Sequence, residues 1–291
     1  DYSDITEGEF FAYALTFHMQ EICQDEHLWV KWHSEPLPDD EETLRLSEAW
    51  RQEQQLQAKI GNYGFHKVER MAGNVGYLEI RCFHRPAWGG HIAVAAMNFL
   101  ANTDALIIDL RKCSGGYPGM VSLVSSYLLG EEPVHLNSIY WRDHDVIQQY
   151  WSLAYVPGQR LDEKSLYILI SKKTFSGGEG FAYDMQARKR AVIIGEQTDG
   201  GAHPGASYRL HPHFEVFIPI GCPTHPITGK NWEGVGVTPD IPVSADLALK
   251  EAHKMALEKI IENLSKQKSE PLRMLLAEAR VAHKEISNNE E

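Results

Sequence analysis

The sequence predicts an α/β protein built on a mostly parallel sheet with helices on both faces, and three observations lead there. Short, continuously apolar runs such as "DALIIDLR" and "LYILIS" alternate with longer runs of helical period, as doubly buried strands and their crossover helices do. No period of roughly 20 to 50 residues recurs, which removes a solenoid. No GxGxxG or GxxxxGK[ST] follows a strand, so the sheet carries no readable nucleotide loop.

Taken in order, "GEFFAYALTFHMQEICQ" (8–24) repeats apolar residues at helical spacing, and "DDEETLRLSEAWRQEQQLQAKI" (39–60) opens with acids suited to a helix N-terminus. Between them "DEHLWVKWHSEPLP" is a short strand followed by a proline-bounded loop. "GFHKVERMAGNVGYLEIRCF" reads as two strands joined at Ala72-Gly73-Asn74. The alternation then runs helix at "GGHIAVAAMNFLAN", strand at "DALIIDLR", helix at "PGMVSLVSSYLLG" and strand at "LYILIS". It closes with helix at "GEGFAYDMQARK" and strand at "RAVIIGE". The stretch "SYRLHPHFEVFIPIGCPTHPITGKNWEGVGVTPDI" is rich in strands and turns, so antiparallel strands finish that region. Two closing helices, "SADLALKEAHKMALEKIIENL" and "PLRMLLAEARVAHKEI", precede a fraying "SNNEE".

Hydrophobic residues make up 43% and charged ones 23%, as in soluble globular chains, and no run of about 18 apolar residues is long enough to span a bilayer. A net charge of −12 argues against nucleic acid, whose binding needs clustered Lys and Arg. Cys23, Cys82, Cys113 and Cys222 form no CxxC pair and are expected to be mostly buried thiols. His211 and His213 stand two apart on an expected strand, half of a metal site at most; surface residues are the plainer reading, and no metal or other cofactor is expected. The chain opens on Asp1, which is read as a processed or truncated start, so a targeting segment can be missing and the compartment is not legible.

Reactive groups of an open parallel sheet gather at the carboxyl ends of its strands. Two such ends stand out. In "IIDLRKCSGGYPGM" (107–120), Gly115 and Gly116 let the backbone turn tightly and present N–H groups beside a helix start. In "KKTFSGGEGFAYDMQ" (172–186), Ser176 stands at a strand-to-helix joint with Gly177 next to it. A serine between two N–H donors is what acyl transfer needs to stabilise an oxyanion. The plainer reading of Ser176 is an N-cap closing a capping box with Glu179, and that of the glycines is a tight turn.

"DALIIDLRKCSGG", "TFSGGEGF", "RAVIIGEQTDGG" and "PITGKNWEGVGVTPDI", in that order, resemble the tail-specific (C-terminal processing) serine protease superfamily, closest to the branch holding the modules of interphotoreceptor retinoid-binding protein. The resemblance covers most of residues 5–262. It implies a crotonase-like ββα superhelix over 62–265, preceded by a helical segment over 1–61 and followed by a C-terminal helix and tail over 266–291. Residues 34–62 are too few for that family's PDZ domain. Ser176 matches the nucleophile, and Gly116 and Gly177 match the oxyanion-hole donors. Many members carry a lysine base in "GExTxGK", but here "GEQTDGG" puts Gly201 in its place. The tricorn-like branch instead uses an early histidine oriented by a late glutamate, roles that His27 in "DEHL" and Glu233 in "WEGVGVTPD" can fill. His203, on the loop beyond Gly201, is the rival base. His27 as a structural histidine and Glu233 paired with Lys230 or Arg209 are the bland alternatives.

Two functions follow. One is a serine hydrolase acting on peptides, the C-terminal ends of chains among them. The other is a non-catalytic module binding a retinoid or fatty acid in an apolar cleft, for which Trp29, Trp32, Trp88, Trp141 and Trp151 are available, although aromatics more often build core. Retention of the serine motif favours the hydrolase.

Overall fold

Ala105 to Asp109 is buried at every position, which requires a strand paired on both edges and covered on both faces. The computed structural model describes residues 2–37, 48–267 and 269–288 and places this strand, β4, inside a six-stranded sheet. Its neighbours are β3 (Val75–Ile80) and β7 (Ser165–Ile170), with β8 (Val192–Gly195) and the two-residue β12 (Ile241–Pro242) beyond β7. β2 (Phe65–Met71) lies beyond β3. Pairing is parallel throughout except for the β2–β3 hairpin.

Alternation along the strands sorts the two cores. Leu106, Ile108, Leu166, Ile168 and Ile170 face α3 (Pro86–Phe99), α4 (Pro118–Leu128) and α5 (Gly177–Ala187). Ala105, Ile107, Tyr167 and Leu169 face α6 (Ala245–Leu264) and α7 (Glu270–Asn288). Gly73, in the β2–β3 turn, lets Ala279 of α7 approach, so the last helix packs onto the sheet through α6 and this turn.

The N-terminal residues join a second sheet. Ala12, Leu15 and Met19 of α1 (Gly8–Cys23) pack on Val30 and Val216, and β1 (Trp29–Trp32) pairs antiparallel with β10 (Phe214–Pro219), which pairs with β9 (Gly205–His211). This register, with Val30 opposite Val216, carries residues 25–27 to the loop before β9. Between β1 and β2 the described residues form α2 (Glu48–Ile60) and one 3-10 turn, with no PDZ sheet. The expected helix start at 39–47 lies outside the described residues.

A third sheet, β11 (Gly221–Thr224) with the hairpin of β5 (His135–Trp141) and β6 (Val146–Trp151), was not expected. β6 is exposed at five of its six positions, so no apolar alternation marks it. The expectation of mostly buried thiols is corrected: Cys113 is buried, but Cys23 and Cys222 are exposed. His211 ends β9 and His213 lies in the turn, where it bonds the His33 carbonyl, so the two do not form a same-face pair on one strand.

Candidate active site

The β7–α5 joint turns so sharply that Ser176 takes φ 51° and ψ −119°, a region a non-glycine residue enters only under constraint. Part of the constraint comes from Glu179, whose carboxylate accepts the Ser176 N–H at 2.8 Å. This is the carboxylate half of the capping box read from the sequence. Glu179 does more than close that box: fully buried, it also accepts Thr198 Oγ1 at 2.6 Å and the Gly200 and Gly201 N–H groups at 2.9 and 3.0 Å. It thereby ties the loop after β8 to the serine turn. Burial raises its pKa to about 7 against the pull of those four donors.

The loop after β4 closes on the same turn. Phe175 N–H donates to the Cys113 carbonyl, and Phe83 N–H to the Gly115 carbonyl. Gly115 and Gly116 both have positive φ, 99° and 128°. A Cβ on Gly115 would stand 2.7 Å from Ser176 Cβ, and one on Gly177 would stand 2.9 Å from the Gly116 oxygen and 3.1 Å from its nitrogen. Only glycines let the two backbones meet. Among the described residues, neither the Gly116 nor the Gly177 N–H has a protein acceptor. Gly116, Ser176 and Gly177 together edge a cleft of about 650 Å³, its open mouth included.

Gly201, standing where a lysine occurs in many relatives, has no room for a side chain. A Cβ there would lie 2.8 Å from His27 Cε1 and collide with the Phe175 ring. The Phe175 ring takes most of that volume and the edge of the His27 imidazole borders it; the two rings lie 4.5 Å apart between centroids, and His27 is only 7% exposed. Burial lowers its pKa to about 4, although the Asp25 charge works upward. His27 Nδ1 is buried without a hydrogen-bond partner. Among the described residues no hydrogen bond joins Ser176 Oγ to either candidate histidine.

Glu233 stands beside His203, the rival histidine. Its Oε2 lies 3.5 Å from His203 Nδ1 and accepts the Ala202 N–H at 2.6 Å. His203 Nδ1 also bonds Asp25 Oδ2 at 2.8 Å, while Asp25 Oδ1 accepts the His27 backbone N–H at 2.9 Å. Glu233 thus meets His203 rather than His27, and Asp25 of "DEHL" contacts both histidines. The Asp25 hydrogen bond raises the His203 pKa against burial, with the Glu233 charge assisting. Burial raises the Glu233 pKa. For Asp25 burial works upward, but the His203 and His27 contacts hold it below the ordinary carboxylate range. Asp25, His203 and Glu233 each place one ligand atom within 4.8 Å of the others, so they can hold a cation only by surrendering these bonds. The lining aromatics are Trp232 and Tyr150; none of the five tryptophans considered from sequence lines this cleft.

The chain is similar in sequence and in fold to known proteins. The chain is 27% identical over 61% of its length to a carboxy-terminal-processing protease of Bartonella bacilliformis, covering 41% of that protein. It is 32% identical over 33% of its length to a tail-specific protease of Haemophilus influenzae, covering 13% of it. The chain thus spans less than half the length of these curated relatives. Among solved structures, a candidate peptidase of Parabacteroides merdae superposes with TM-score 0.58 at 15% identity, over 87% of this chain and 84% of that one. A lipoprotein of Streptococcus agalactiae superposes at 0.51 and 14%, over 74% and 85%. Residues 74–243, more than half of the chain, match peptidase family S41, and the chain belongs to that family.

Proposed function

We propose that the protein is a serine peptidase in which Ser176 is the nucleophile, His27 the general base, and the Gly116 and Gly177 N–H groups the oxyanion donors. The observation that carries this reading is the strained Ser176 flanked by two unpaired N–H groups, with the His27 imidazole packed on the ring of the preceding Phe175 and close to Gly201. His27 takes the Ser176 proton as Oγ attacks the scissile carbonyl, and the carbonyl oxygen becomes an oxyanion between the two N–H groups. On collapse the proton passes to the leaving amine. Water, activated by the same imidazole, then releases the acyl group and regenerates the serine.

Charge chooses between the histidines. A base must be neutral at rest, and burial keeps His27 so, whereas His203 is stabilised as a cation between Asp25 and Glu233. Glu233 and Asp25 are assigned to holding that cation behind His27, in place of a direct Ser–His–Glu relay. The names of the curated relatives support peptide substrates, with carboxyl-terminal segments as one class. The test is labelling with a serine-directed fluorophosphonate followed by peptide mapping. A single adduct on Ser176, absent in Ser176→Ala, is expected; folded protein that takes no label there would overturn the reading.

A further inference from the structure

The cleft beside Ser176 is mainly apolar, walled by Val121, Leu136, Ile139 and Trp232, yet three of its lining residues hold buried polar atoms with no partner. These are Ser122 Oγ on α4, Asn137 Oδ1 on β5 and Asp184 Oδ2 on α5. Ser122 is 7% exposed and Asp184 4%. Native interiors pair nearly all such atoms, so three orphans in one cleft indicate that a ligand supplies the missing groups.

The other half of Asp184 is already satisfied. Its Oδ1 accepts Arg188 Nε at 2.9 Å and His225 Nε2 at 2.9 Å. The Ile227 and Thr228 N–H groups both point at His225 Nδ1, so Nδ1 accepts and Nε2 donates to Asp184. The Asp184 charge is offset by Arg188, and among the described residues no other carboxylate lines the cleft. A cationic side chain would bring an uncompensated charge into an apolar wall, and a purely apolar one would leave all three atoms unpaired.

We propose that this cleft selects a side chain ending in a primary carboxamide, glutamine or asparagine, on the residue that donates the acyl group to Ser176. The two amide N–H groups match the acceptors Asn137 Oδ1 and Asp184 Oδ2, and the amide oxygen accepts the Ser122 hydroxyl. Two acceptors and one donor in the wall meet two donors and one acceptor in the ligand. The inference rests on the peptidase reading for which residue enters the cleft, but the binding preference is measurable without turnover.

The experiment measures fluorescence anisotropy of labelled peptides on Ser176→Ala protein, the peptides differing only in Gln, Asn, Leu, Lys or Ala at the acyl-side position. Gln or Asn is expected to bind at least about tenfold tighter than Leu, since a site built to pair polar groups discriminates against ligands lacking them. Ser122→Ala and Asn137→Leu, introduced separately and checked for unchanged thermal unfolding, should each shrink that ratio about fivefold. Asp184 is left intact because its loss would strand Arg188 and His225. Leu or Ala binding as tightly as Gln, Lys binding tightest, no peptide binding at all, or a ratio that survives both substitutions would overturn the proposal. Fluorophosphonate labelling of the unsubstituted protein separates the two readings. A label on Ser176 without carboxamide preference removes only the pocket assignment, and carboxamide preference without a label removes only the nucleophile.

Discussion

At His27 the imidazole packs against the Phe175 ring, and the two rings together close off the volume at Gly201, so the missing lysine and the buried histidine belong to one packing arrangement. Glu179 is the other residue on which the site depends. Its two oxygens accept four donors, and two of those donors belong to Gly200 and Gly201, the loop that packs against His27. Glu179→Gln keeps the shape but turns one acceptor into an amide that faces two donors. The expected cost is about 2–4 kcal/mol in denaturant unfolding, from buried donors left unpaired at roughly 1–3 kcal/mol each. Fluorophosphonate labelling of the folded variant should also slow, because the serine turn loses its anchor. An unchanged unfolding midpoint would show that the carboxylate is not needed to hold the turn.

The site is assembled by elements far apart in sequence. The β4–α4 and β7–α5 loops meet through glycines, and Gly177→Ala tests that contact: a Cβ 2.9 Å from the Gly116 oxygen must push the two N–H groups apart. Turnover is expected to fall about 100- to 1,000-fold, the range for a lost oxyanion donor, with thermal unfolding little changed. Full activity in that variant would remove Gly177 from the site. These two joints were legible because each is a contiguous strand–glycine–helix pattern, visible as "KCSGGYPGM" and "TFSGGEGF". The position of His27 was not legible in the same way. It depends on β1 pairing with β10, far along the chain, and on the Val30–Val216 register. Nothing local in "DEHLWVKW" encodes that partner. For the same reason the sequence could not decide which histidine Glu233 would meet. The β5–β6 hairpin escaped because its outer strand buries almost nothing, yet β5 supplies Leu136, Asn137 and Ile139 to the cleft.

Over the whole molecule, among the groups whose pKa the fold displaces, His27 and Glu179 move far and in opposite directions between about pH 4 and 7. His27 falls from an ordinary 6.5 to about 4, so its contribution is present above 6.5 and is lost as pH falls through 4. Glu179 rises from 4.5 to about 7, so its contribution is present below 4.5 and is lost as pH rises through 7. Between about pH 4.5 and 6.5 the two slopes oppose each other, and these groups together leave stability nearly level. His27→Gln removes the rising slope. That variant should lose stability relative to the unsubstituted protein as pH increases from 4.5 to 6.5, measured by denaturant unfolding at each pH. A constant difference across that window would mean that His27 is not held neutral by the fold. The parallel sheet and its two cores were readable from continuous apolar strands, but these displaced pKa values come from burial by sequence-distant segments and were not.

The pH dependence of the rate at which a fluorophosphonate labels Ser176 tests most directly whether a neutral His27 activates the serine. The rate should rise through an apparent pKa near 4 and stay level through neutrality, fall about 10²- to 10⁴-fold in His27→Ala, and change far less in His203→Ala. A rate that climbs only near or above pH 7, is indifferent to His27→Ala and collapses in His203→Ala would contradict the account.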